Sequence, residues 1–307
     1  MFRFSSAIVP FVAAVLLAAS PARSAAPVDS NTAMRERILR TTEFFNTILP
    51  GVLEEKNVTL HFMPKFSDLR RHEFIRYPLE LRYGIGHRWE LNGGATLFGP
   101  NPFKSGPDHR WGPGEIRLGA RYDVGPFLNW FDEMTLGLET RIPVGKPPPE
   151  LNDHYTHVKP FVSMSRQLAS RPDFTVYANL SYDRSVELAR RAAPPLHVVR
   201  RNIIEVAPGV LYKPGEFGYF TEYRFSHITE QLAWHLAHEV LIGSIWDVPI
   251  RRSAGWKLPG KWQIEMALKV GREEGRGNDL GVVTRVNWKT TLREVLSHAS
   301  GKVFAPR

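Results

Sequence analysis

From residue 58 to residue 289, apolar and polar side chains alternate with a period of two. Ile116, Leu118, Ala120, Tyr122 and Val124 alternate with Glu115, Arg117, Gly119, Arg121 and Asp123. Trp262, Ile264, Met266, Leu268 and Val270 alternate in the same way with Gln263, Glu265, Ala267, Lys269 and Gly271. Runs of about ten residues have the length of a tilted strand that crosses a bilayer. Such runs predict twelve strands, near 58–67, 72–83, 88–98, 114–124, 132–143, 155–167, 173–184, 202–213, 217–228, 236–248, 260–271 and 279–290. An even number of antiparallel strands is what a bacterial outer-membrane barrel requires. Ahead of the strands, Ile38, Leu39, Phe44, Phe45, Ile48 and Leu49 predict a helix over 31–49, stopped by Pro50-Gly51.

The connections support this reading. Those after odd strands are long and polar or proline-rich (99–113, 145–154, 185–201), and several after even strands are tight (84–87, 214–216). Long outer loops and short periplasmic turns are the pattern of an all-β, up-and-down transmembrane barrel. Tyr83, Trp89, Tyr122, Tyr212, Trp246, Trp262 and Trp288 fall on the apolar phase, where they would form the periplasmic aromatic girdle. A soluble β-sandwich is the competing reading, but its strands are typically shorter. Pro64, Pro78, Pro160 and Pro208 interrupt strands that would have no free edge, which predicts bulges at those positions.

The first residues explain how such a chain would reach the outer membrane. Met1-Phe2-Arg3-Phe4 is a short basic segment, Ala7 to Ala19 is apolar, and small residues surround Ser24. This is the pattern of an export leader removed after Ser24. Loss of Arg3 and Arg23 leaves 38 basic residues against 31 acidic ones, a net of +7. Export makes nucleic acid an unlikely partner. The absence of cysteine excludes disulfides, a thiolate nucleophile and a cysteine-bound metal. The expected organisation is a leader over 1–24, a helix and linker over 25–54, a barrel over 55–290 and a tail over 291–307.

Gly114-Glu115-Ile116-Arg117-Leu118-Gly119-Ala120-Arg121-Tyr122, with Leu136-Gly137-Leu138-Glu139-Thr140-Arg141-Ile142-Pro143-Val144-Gly145-Lys146, resembles the paired strands of the MetA-pathway phenol-degradation family. Gly218-Tyr219-Phe220-Thr221-Glu222-Tyr223-Arg224 resembles a later strand of that family. The resemblance implies an outer-membrane barrel that moves small molecules, aromatic or hydrophobic ones among them. The chain departs from the usual barrel ending in carrying a tail beyond Trp288. The barrel-assembly machinery would therefore have to read the internal segment from Gly281 to Trp288.

The polar phase is rich in charge. Glu80, Glu90, Glu115, Glu139, Glu205, Glu222, Glu239 and Glu265 are expected inside, with Arg82, Arg117, Arg121, Arg141, Arg224, Lys269 and Arg285. They would form either a polar path for a solute or a mutual network that fills a narrow lumen. Near balance of the two signs predicts no strong ion selectivity. Arg70, Arg71, Arg110, Arg190, Arg191, Arg200, Arg201, Arg272 and Arg276 fall in outer loops, where guanidinium forks suit lipopolysaccharide phosphates. A second function class rests on His227, Thr229 and Glu239, which distantly resemble the active strand of outer-membrane lipid A deacylases. There, Thr229 would be nucleophile, His227 base and Glu239 orienting carboxylate. His154/His157 and His235/His238 are three apart, a spacing that suits a metal only on a helix, so no metal or other cofactor is expected.

Overall fold

The structure is a computed structural model that describes residues 49–67, 74–101, 110–128, 130–146, 155–187, 201–230, 233–249, 260–274 and 277–299. The expected leader, and the expected N-terminal helix apart from its last residue, lie outside the described residues. Within them, the alternating runs form β1 (Asn57–Phe62), β2 (Lys65–Ser67), β3 (Phe74–Gly86), β4 (Trp89–Pro100), β5 (Gly112–Phe127) and β6 (Phe131–Pro143). The series continues with β7 (Thr156–Leu168), β8 (Arg171–Val186), β9 (Asn202–Tyr212), β10 (Phe217–Thr229), β11 (Trp234–Val248), β12 (Lys261–Glu273) and β13 (Gly277–Thr291), followed by the helix α1 (Leu292–Ala299).

From β2 to β13 each strand pairs antiparallel with its neighbour in the chain. The sheet closes because β13 pairs with both β1 and β2, which pair in turn with β3. Strands β1 and β2 are one wall position interrupted at Met63-Pro64, so the molecule is a closed barrel of twelve staves. Closure matters physically because lipid offers no hydrogen bond to a free sheet edge.

The prolines are accommodated differently from the bulges that their positions predict. Pro64 sits in the break between β1 and β2, where the Met63 N–H reaches the Pro78 carbonyl at 3.0 Å. At Pro160, pairing with β8 lapses between Val158↔Arg184 and Phe161↔Ser181, yet the register is the same on both sides. At Pro208, pairing with β10 lapses between Val206↔Phe225 and Gly209↔Glu222, again without slippage. A missing N–H thus costs one side of the ladder locally and needs no extra residue. The register shifts lie elsewhere, at Gly84/Gly86, Thr96/Leu97, Asp123/Gly125, Gly125/Phe127 and Gln167/Leu168.

The burial pattern is the reverse of a soluble protein. Leu81, Leu118, Leu138, Ile242, Met266, Leu268 and Leu280 are exposed on the outer surface, while Arg82, Arg121, Arg285, Glu90 and Glu265 are buried within. An apolar exterior around a polar interior is stable only in lipid. At the end of the barrel that holds the tight turns and the start of β1, aromatic rings meet across strands. Trp89 and Tyr122 are 5.0 Å apart, Phe174 and Tyr212 4.5 Å, Phe217 and Trp246 5.8 Å, and Trp262 and Trp288 6.1 Å. This is the girdle expected at the rim that holds the tight turns.

At the same rim the chain turns into α1, part of the segment expected as a tail. Its start is a reciprocal cap. The Glu294 N–H donates to Thr291 Oγ1 at 3.2 Å, while Glu294 Oε2 accepts from the Thr291 N–H at 3.1 Å and from the Thr290 hydroxyl at 2.8 Å. Thr-x-x-Glu is the capping-box spacing that stops a strand from running on and nucleates a helix.

Candidate channel interior

Strand alternation directs one residue in two inward, and the structure divides the inward set into two levels. Near the rim with the tight turns the level is packed. Glu90 lies 3.9 Å from Arg82 and 3.6 Å from Arg121, and all three side chains are at most 2% exposed. Arg82 also donates to Glu80 at 2.7 Å, and Arg121 lies over the Phe161 ring at 5.7 Å. On the other side of β1, Arg285 is 3.5 Å from Glu265, and the Asn287 amide donates to Glu265 at 2.7 Å and to Gln263 at 3.0 Å. Gln263 in turn donates to Asp247 at 2.7 Å, and Asp247 pairs with Lys213.

Part of what fills this level is not wall. Leu49, Pro50, Gly51 and Val52 are buried, and the segment is tied to inward side chains by its backbone. The Leu53 N–H donates to Glu90 at 2.9 Å, and the Gly51 N–H donates to Thr135 at 2.6 Å. Glu90 is the second residue of β4 and Thr135 the fifth of β6, so both anchors stand near the rim. Leu49 joins an apolar cluster with Met63, Tyr177, Leu211, Phe220, Leu241, Ile245, Ala267 and Val283. The segment thus lies between a charged wall, from β3 to β6, and an apolar one, mostly from β8 to β13.

Toward the loop end the interior is partly open to water. The side chains of Glu115, Arg117, Arg141, Lys159, Glu205, Arg224 and Lys269 are 13 to 28% exposed. They form a belt of ion pairs. Arg117 pairs with Glu115, and Arg141 with Asp183 and, at 3.4 Å, with Glu139. His157 Nδ1 is 2.7 Å from Asp183. Lys159 pairs with Glu205, Glu205 with Arg224 at 3.4 Å, Arg224 with Glu239 at 2.8 Å, and Glu239 with Lys269 at 3.3 Å. Among the pairs named, five cations (Arg117, Arg141, Lys159, Arg224, Lys269) meet five carboxylates (Glu115, Glu139, Asp183, Glu205, Glu239), and Arg76 of β3 lies near Glu115 as a further cation.

Every residue expected to face inward is inside: Glu80, Arg82, Glu90, Arg121, Glu222, Glu265 and Arg285 in the packed region, and Glu115, Arg117, Glu139, Arg141, Glu205, Arg224, Glu239 and Lys269 in the belt. The apolar wall was not expected. It hides in strands such as β11, where inward Leu241 and outward Ile242 are neighbours and both faces look apolar. Asp183, Lys159 and His157 were also missed as partners, although Asp183 stood on the polar phase.

The hydrolase triad is not brought together. His227 faces outward and stacks on Trp234 at 5.7 Å, while Glu239 faces the lumen and is held by Arg224 and Lys269. The wall separates them, because His227 pairs in register with Leu236, and Glu239 is three residues further along β11 on the other face. His235 and His238 point to opposite faces for the same reason, and His154 lies outside the described residues. Among the described residues no group of three His, Cys, Asp or Glu side chains is arranged to hold a metal.

No known protein family matches the sequence, and no curated protein is detectably similar to it. Solved structures do match. An outer-membrane channel from Pseudomonas putida F1 aligns over 81% of this chain and 100% of its own, with a TM-score of 0.53 and 10% identity. The NanC porin aligns over 76% of this chain and 98% of its own, at 0.45 and 11%. The CymD monoaromatic hydrocarbon channel aligns over 78% of this chain and 89% of its own, at 0.39 and 8%. The chain therefore has the fold of an outer-membrane barrel.

Proposed function

We propose that this protein is an outer-membrane channel for small molecules, closed at rest by its own N-terminal segment. The observation that carries this reading is the graded interior: a water-accessible belt of paired charges toward the loops above a packed level built partly from Leu49–Leu53. A solute entering from outside meets fixed charges of both signs and, beyond them, an apolar wall with Tyr177 and Phe220. Such a lining suits a small ring that carries a polar group, in keeping with the resemblance to phenol-degradation barrels. Uptake of benzoate into proteoliposomes tests this. Uptake above that of empty liposomes, altered by Arg117→Ala and Arg224→Ala, is expected. Uptake no faster than through lipid alone, with or without residues 25–53, would favour a structural barrel whose lumen is filled.

A further inference from the structure

The outer face of β11–β13 changes character abruptly near the loop end. Val240, Val270 and Leu280 are one registered row of the apolar belt, and the adjacent row toward the loops is His238, Arg272 and Asn278. The two rows are about 7 Å apart along the strands. His238 and Arg272 are directly opposite, with Cβ atoms about 5 Å apart, and both are exposed. The His238 ring is held in place: Tyr223 Oη is 2.6 Å from its Nδ1, leaving Nε2 for another partner, and Phe225 lies against it at 5.4 Å. His227 stands on the same face of β10, stiffened by its stack on Trp234. Among the described side chains nearby, Glu274 accepts from the Leu236 N–H at 3.4 Å and Glu230 pairs with Arg201 at 2.9 Å.

We infer that this row is a docking site for the phosphorylated headgroup of lipid A, the acylated glycolipid of the outer leaflet. Fixed nitrogen donors stand at the upper boundary of an apolar surface, where a phosphate and its acyl chains would meet the wall together. From His238 on β11 to Asn278 on β13 the row spans about 10 Å, and His227 stands one step nearer the loops on β10, so the donors cover more than one phosphate needs and suit a sugar phosphorylated at both ends. Arg272 supplies the planar fork that binds phosphate oxygens in pairs, and the net charge of +7 draws anionic lipid to the surface. The inference rests on the outer-membrane reading, which puts the loop end at the outer leaflet, and not on conduction.

The test uses the full exported chain refolded in detergent free of lipopolysaccharide and titrated by native mass spectrometry. The probes are bisphosphorylated lipid A, the same lipid without its phosphates, and phosphatidylethanolamine. Expected is tighter binding of the phosphorylated lipid A than of either other lipid. Arg272→Ala combined with His238→Ala should weaken it about ten-fold or more, while Lys261→Ala, at the far end of β12, should not. Retained heat-modifiable mobility shows that the variants fold, and the wild-type comparison of lipids needs no variant. Equal affinity for dephosphorylated lipid A or for phosphatidylethanolamine would overturn the inference. So would unchanged binding by the folded double variant. Benzoate uptake measured alongside separates the two claims: loss of lipid binding with uptake intact refutes only the docking site.

Discussion

Glu90→Ala is the substitution in which the packed level should show itself most clearly. The Glu90 carboxylate is fully buried, faces two guanidinium groups and accepts the Leu53 N–H. Removing one member of a buried charge cluster costs about 3–5 kcal/mol, because the remaining charge is left in a poorly solvated site. Arg82 keeps Glu80 at 2.7 Å and Arg121 keeps the Phe161 ring, which puts the expected loss near the lower end, about 3 kcal/mol. Glu139→Gln is the comparison. Its partner Arg141 is 23% exposed and keeps Asp183, so the loss should be within about 1 kcal/mol. Urea unfolding in detergent, followed by the shift in electrophoretic mobility, measures both. Equal losses would mean that the interior near the rim is as wet as the belt, and the division into two levels would be wrong.

Leu268→Arg puts a charge on the lipid face between Ile242 and Val282, mid-belt, and should cost about 2–4 kcal/mol and impair assembly in cells. Leu136 is a poorer choice, since it pairs with Tyr122 of the girdle rather than lying at mid-depth. Gly209→Ala would bring a methyl group within 2.3 Å of the Tyr177 ring, so a loss of about 1–3 kcal/mol is expected from displacing it. Partial burial would raise the Glu294 carboxyl, but the Thr291 N–H and the Thr290 and Thr291 hydroxyls hold it below its usual range. The cap is therefore complete at neutral pH and lost as pH falls through the lowered value, which faster amide exchange in α1 under acid conditions would reveal. His227→Ala should leave benzoate uptake unchanged, and fatty-acid release from lipid A that vanishes in this variant would reinstate the hydrolase.

The wall was legible in the sequence because a period of two survives even where the ladder lapses. Pro160 and Pro208 each remove an N–H, but the residues on either side keep their faces. The charged lining followed from the same alternation, as Glu139 and Arg141 illustrate. What alternation could not reveal was which level is wet. Glu90 and Glu115 look alike in the sequence, yet one is sealed beneath a segment that arrives from outside the wall. That segment is irregular from Leu49 to Glu54 and is tied by backbone N–H groups, which carry no residue-type signal. The apolar wall was hidden because β11 presents Leu241 and Ile245 inward and Ile242 outward, so neither face reads as polar. The hydrolase resemblance failed on parity: residues on neighbouring strands share a face only if their register allows it.

In the proposed channel a removable segment, and not the wall, closes the barrel. Single-channel conductance of the full exported chain, compared with the same chain lacking residues 25–53, tests it most directly. Little conductance is expected of the full chain and steady, weakly selective conductance of the truncated one, with heat-modifiable mobility retained by both. A truncated barrel that folds and still conducts nothing would contradict it, since the side chains of the wall would then fill the lumen unaided.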